Sequence, residues 1–307
     1  MSNQNNSINK PQFFIVGAPR CGTTALSDFL NQHPSIYFSY IKEPHYFGSD
    51  LPIRRGFRSE GEYLQLFRDA QDRIAGEGST WYLFSKRAAQ EIHEFNPNAK
   101  IIVMLRNPAD MLYSWHGYML LTGEETIDDF EEALMAESER RQGKRIPRNT
   151  PINKLLYSDI PRYTDQLQRF YSVFGAQNVR SIIYDDFKAN QVQVVRDTFE
   201  FLGVDPDFTP EITVVNGHAQ VKSKSLQNFT HSQPQFVRNL VKTLLPSKVR
   251  SQLRHSMHVM NTKPSERTAL APELRERLNK EFAHEISRLS HFLKRDLGHW
   301  VEIDAHV

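Results

Sequence analysis

The sequence predicts an α/β fold, a three-layer arrangement whose central, mainly parallel sheet is flanked by helices. Three observations predict it. From Pro11 onward, apolar runs of strand length alternate with segments of helical period. The first of these runs passes through a glycine-framed turn directly into a helix-like segment. No internal repeat and no linker of flexible composition divides the 307 residues, so one domain over residues 11–307 is expected behind a flexible polar tail, 1–10.

Each element follows from its local pattern. Phe13 to Val16 is short, aromatic and β-branched, which favours a buried strand ending at Gly17. Thr23 to Leu30 reads as a helix with Leu26, Phe29 and Leu30 on one face. Tyr63, Leu64 and Phe67 mark a short helix, and Arg73 to Glu77 a strand. Ser85 to Phe95 carries a helical stripe of Ala88, Ala89, Ile92 and Phe95. Ile101 to Leu105 is the next strand, and Asn107-Pro108 opens a helix, with Asn as cap, Pro in the first position and Asp110 near the positive end. Thr126 to Arg141 and Asp159 to Phe174 read as helices, Val179 to Tyr184 as a strand, and Gln191 to Leu202 as a helix stopped by Gly203. Asp205 to Ser225 is loop-like, and Ala271 to Leu293 forms a closing helix before a short tail containing Trp300.

Charge and composition exclude several classes. Lys and Arg number 38 and Asp and Glu 36, a net charge of +2, so no general nucleic-acid coat or polybasic membrane binder is expected. Any anion site must be local. The single cysteine, Cys21, excludes an intramolecular disulfide framework and a cysteine-based zinc site. Met1 to Lys10 has no apolar run, so no signal peptide is read there, and a soluble, cytoplasmic protein is expected.

The chemistry starts at Gly17-Ala18-Pro19-Arg20-Cys21-Gly22-Thr23-Thr24. A turn between a buried strand and a helix aims free backbone N–H groups at one point, where the helix dipole favours an anion. Arg20 adds a fork suited to phosphate or sulfate oxygens, and Thr23 and Thr24 add hydroxyls. The spacing is P-loop-like, but Thr23 stands where a nucleoside triphosphatase has lysine. A second anion group is Arg106, at the carboxyl end of a strand, with Ser114 about two turns into the next helix.

On these residues the chain resembles the sulfotransferase family, enzymes that use 3′-phosphoadenosine 5′-phosphosulfate (PAPS) on a P-loop-like α/β fold. The resemblance covers nearly all the chain after the tail. It implies that Arg20, Cys21, Gly22, Thr23 and Thr24 hold the 5′-phosphosulfate and that Arg106 and Ser114 hold the 3′-phosphate. Lys222 and Ser223 match a late basic segment that closes over the nucleotide. Lys42-Glu43-Pro44-His45-Tyr46-Phe47 resembles the E-x-[HQ]-F-F motif of heparan-type members, which makes Glu43 the base, His45 a competing base and Lys42 a helper. Glu77-Gly78-Ser79-Thr80-Trp81-Tyr82 resembles the E-K-S-P-x-Y segment, with Gly78 in place of its lysine. The reaction implied is in-line sulfuryl transfer to the hydroxyl of a carbohydrate or other small alcohol, with no metal required by the residues placed. Two other readings stay open: a nucleotide kinase or NTPase using Asp185 or Asp186 for magnesium, and a non-catalytic nucleotide-binding module.

Overall fold

The computed structural model describes residues 10–53, 56–57, 59–212, 219–221, 262–264 and 269–302. Their elements run in the order β1 (Phe13–Gly17), α1 (Thr23–Leu30), β2 (Ile36–Phe38), α2 (Glu60–Leu64), β3 (Ile74–Gly78), α3 (Ala88–Phe95), β4 (Lys100–Leu105), α4 (Pro108–Thr122), α5 (Phe130–Met135), α6 (Glu137–Arg141), α7 (Tyr163–Phe174), β5 (Val179–Ile183), α8 (Tyr184–Ala189), α9 (Gln191–Leu202), β6 (Ala219–Val221), β7 (Thr262–Pro264) and α10 (Pro272–Leu293). They fall into two compact units, residues 1–112, 157–213 and 272–307 in the first and 113–156 and 214–271 in the second. Among the described residues no helix is long and apolar enough to cross a membrane.

The first unit is built on a five-stranded sheet of order β2-β3-β1-β4-β5, parallel at every pairing. The sequence-predicted fold class is therefore the observed one. β1 lies at the centre, and all five of its residues are buried. This placement explains its continuous apolar run, because a strand covered on both faces has no polar side. Its pairing with β4 shifts register between Ile15 and Gly17, where the chain leaves the sheet. Helices close over the sheet through buried faces such as Leu26, Phe29 and Leu30 of α1, with Phe29 against Phe187 of α8. Each fully buried side chain of this size contributes roughly 1.5–3 kcal/mol.

The predicted boundaries differ from the observed ones where a side chain or a proline intervened. β2 has no sequence counterpart in the reading above, because three residues are too few to show a period. The segment Thr126 to Arg141 is not one helix. Glu125 accepts from the amides of Thr126 and Ile127, and Asp129 caps α5 through the Glu132 amide, so helix begins only at Phe130. Asp159 to Phe174 starts helix at Tyr163, after Pro161, which disfavours helical geometry in the residue before it. Tyr184 heads α8 instead of ending β5. Part of the expected loop from Asp205 to Ser225 forms β6, paired antiparallel with β7.

The second unit is organised around a buried ion pair. Arg140 donates to both oxygens of Glu125 at 2.7 and 2.9 Å, and its other terminal nitrogen to the carbonyls of Ala133 and Leu155. Both side chains are fully buried, so removal of either would strand a charge, at a cost of about 3–5 kcal/mol.

Candidate active site

The phosphate-type loop forms because β1 ends inside the sheet. The Ala18 amide donates to the Met104 carbonyl of β4 at 2.7 Å, and Val16 accepts from the Leu83 amide. The entry to the turn is thereby tied to neighbouring segments on both sides. Gly22 caps α1 in the left-handed region, with φ 89°, and supplies no side-chain acceptor. A Cβ there would lie 3.1 Å from the Tyr184 ring. The first turn of α1 contains no acid, so its N–H groups, which no helix satisfies internally, suit an external anion. Thr23 and Thr24 stand in that turn.

Both arginines bear on this loop. Arg106 follows β4, lies over the Tyr184 ring at 4.7 Å and directs Nη1 to the Arg20 carbonyl at 3.5 Å. Arg20 and Arg106 both act electrostatically on Cys21. Burial nevertheless pushes the Cys21 thiol up to about 12, so it is no nucleophile at neutral pH, and the loop offers its amide. Ser114 is buried on α4, in the second unit. Lys222 and Ser223 lie outside the described residues.

Lys42, Glu43 and His45 follow the edge strand β2. Lys42 Nζ donates to Thr24 Oγ1, which ties this loop to the first turn of α1. Partial desolvation lowers the Lys42 ammonium from its ordinary range, opposed by the charges of Asp28 and Glu43 and assisted by Arg20. The Glu43 carboxylate accepts from Thr80 Oγ1 at 3.1 Å and sits 3.0 Å from His45 Nε2. The Glu43 side chain is 34% exposed and that of His45 14%. His45 Nδ1 is buried with no partner. One imidazole nitrogen is therefore spent on Glu43 and the other faces the interior. The open proton acceptor of the pair is the carboxylate.

Next to this loop in hydrogen bonding is a buried polar cluster whose convergence is not visible in the local sequence. Glu77, fully buried at the end of β3, accepts from Tyr63 Oη and Tyr82 Oη, both at 2.9 Å, and from Ser79 Oγ at 2.7 Å. The one available signal was its position in the segment Glu77 to Tyr82, but spacing does not show three side chains converging. Thr80, the partner of Glu43, comes from the same segment.

Asp185 and Asp186 do not stand free for magnesium. Asp185 Oδ2 accepts from Trp300 Nε1 at 2.6 Å and lies 3.2 Å from His299 Nε2, and Asp186 takes both terminal nitrogens of Arg295. Trp300 is buried and also accepts from Asn107 Nδ2 through its carbonyl. Among the described residues no group of three or more His, Cys, Asp or Glu is gathered as for a metal ion.

Comparison with known proteins decides the family. The sulfotransferase domain family matches residues 10–263. The chain belongs to the sulfotransferase family. A sulfotransferase from Alicyclobacillus acidocaldarius superposes with a TM-score of 0.72 at 30% identity, covering 96% of this chain and all of that one. Human carbohydrate sulfotransferase 15 is 29% identical over 249 residues, 64% of this chain and 44% of the relative. The bifunctional heparan sulfate N-deacetylase/N-sulfotransferase of Drosophila melanogaster is 24% identical over 224 residues, 67% of this chain and 21% of the relative. The chain thus spans less than half the length of these curated relatives. The family is one of PAPS-dependent enzymes, the donor that the resemblance at Gly17 to Thr24 implies. In this sulfotransferase position 78 is glycine, and a Cβ there would come 3.3 Å from the Phe38 ring.

Proposed function

We propose that this sulfotransferase moves a sulfuryl group from PAPS to a hydroxyl of a carbohydrate or other small alcohol by in-line transfer, with Glu43 as base. The observation that supports the reading is the hydrogen bond from Lys42 to Thr24, which ties the segment bearing Glu43 to the first turn of α1. In this reading the α1 amides and Arg20 stabilise charge on the sulfate and the departing phosphate, and Arg106 holds the 3′-phosphate. Glu43 takes the hydroxyl proton at its exposed carboxylate, while Thr80 and His45 fix that carboxylate's rotamer. Lys42 supplies the cation that the glycine at position 78 cannot. The carbohydrate acceptor class rests on the names of the curated relatives.

The test is direct. Purified protein with PAPS and a panel of glycan and small-alcohol acceptors is expected to give a product gaining one sulfuryl group, read by mass spectrometry. Adenosine 3′,5′-bisphosphate is expected to stabilise the protein against heat more than Mg-ATP does. Binding without turnover across the panel, or a preference for Mg-ATP, overturns the proposal.

A further inference from the structure

We infer that Glu77 is a positioning residue: a buried carboxylate that, through Ser79 and Tyr82, holds the backbone of the loop carrying Glu43 in its working conformation. The inference rests on the reading of Glu43 as base. It starts from backbone strain. Glu43 has φ 53° and His45 φ 49°, both in the left-handed region that non-glycine residues rarely adopt. Such conformations persist only where the surroundings over-determine them. The bonds that do so come from one place. The amide of His45 donates to Ser79 Oγ at 3.1 Å, and those of Tyr46 and Phe47 donate to Tyr82 Oη at 2.8 and 3.2 Å. The Glu43 amide donates to the Gly78 carbonyl at 3.1 Å.

Glu77 determines the direction of these bonds. The Tyr82 hydroxyl has accepted two amides, so both its lone pairs are used and its proton must point elsewhere. It points at Glu77 Oε1. The Ser79 hydroxyl accepts the His45 amide and sends its proton to Glu77 Oε2. With Tyr63, three donors converge on one carboxylate, an arrangement that suits a group able only to accept. Burial raises the Glu77 carboxyl above its ordinary range, and the hydrogen bonds from Ser79, Tyr63 and Tyr82, with nearby His45, offset only part of that rise. A glutamine here would turn an amide NH₂ toward one of these hydroxyls and leave a buried proton without an acceptor.

Glu77→Gln and Tyr82→Phe test the inference. Tyr82→Phe keeps the buried ring and removes only the link, so it serves if the glutamine variant folds poorly. The readouts are steady-state rates with PAPS, binding of adenosine 3′,5′-bisphosphate, and peptide-resolved amide hydrogen exchange. The expected result is kcat lower by about 10²-fold in Glu77→Gln and about tenfold in Tyr82→Phe. Bisphosphate affinity is expected to hold within about twofold of the parent, because the anion loop is not suspended on Glu77. Exchange should quicken across residues 43–47 and stay at the parent rate across 17–26. A merely structural role would lower the melting temperature without this split between kcat and donor binding. Unchanged exchange at 43–47 in both variants overturns the inference, as does faster exchange with the parent kcat while Glu43→Gln is inactive. If Glu43→Gln keeps the parent rate, the base assignment fails instead, and the exchange data alone decide whether Glu77 holds the loop.

Discussion

The anion loop and the base loop meet at Thr24 and Lys42 but are held in opposite ways. The anion loop leaves the central strand of the sheet, with β3 and β4 paired on either side of β1, and its entry is fixed by main-chain bonds to Met104 and Leu83. The base loop leaves β2, an edge strand of three residues, and its amides end mainly on side chains from the exit of β3. A loop at the centre of a parallel sheet inherits its order from the ladder. At the edge, the loop amides instead meet the hydroxyls of Ser79 and Tyr82, both of which donate to the buried Glu77 carboxylate.

The largest break in this comparison should come from Glu43→Gln. It removes the carboxylate proposed above as the proton acceptor and is expected to lower kcat by about 10²–10⁴-fold, with adenosine 3′,5′-bisphosphate binding unchanged by calorimetry. The mirror image is Gly22→Ala, which forces a side chain into the left-handed region against Tyr184. It should cost about 1–3 kcal/mol of stability and weaken bisphosphate binding by about tenfold or more, readable by titration and thermal melts. One region thus fails in rate and the other in affinity.

Trp300→Phe sharpens the contrast from behind the anion loop. The indole N–H holds Asp185, next to the Tyr184 ring on which Arg106 lies, and the Trp300 carbonyl accepts from Asn107, next to Arg106. Loss of the N–H should cost about 1–2 kcal/mol in denaturant melts, with a few-fold weaker bisphosphate binding and no change in exchange at 43–47. The smallest effect is a pH dependence. The Cys21 thiol is raised from an ordinary 9.0 to about 12 by burial. Between these values the unfolded chain has released its proton and the folded chain has kept it. The folded state is therefore favoured fully below pH 9 and progressively less up to about 12. Denaturant titrations should show the parent losing about 1 kcal/mol more than Cys21→Ala between pH 8 and pH 10.

Local chemistry made one half of this site readable and left the other half out of reach. Gly17 to Thr24 announces itself because strand, turn and helix are contiguous in the sequence, so the α1 N-terminus follows the turn directly. Asn107 caps α4 and Gly203 stops α9 where their residue types place them. Arg106 was legible from its place at a strand exit. The short edge strand β2 was not, because it has no period of its own and forms only by lying beside β3.

By itself the sequence determined the parallel α/β class and the strand–turn–helix that opens it at Gly17 to Thr24, since each depends on neighbours within one or two elements. Only the tertiary structure decided which nitrogen of His45 faces Glu43, that Asp185 and Asp186 are committed to the carboxyl-terminal segment, and that Glu77 gathers the hydroxyls of Tyr63, Ser79 and Tyr82. Those outcomes are hydrogen bonds between segments up to 115 residues apart, and their directions are fixed by how few acceptors remain once water is excluded.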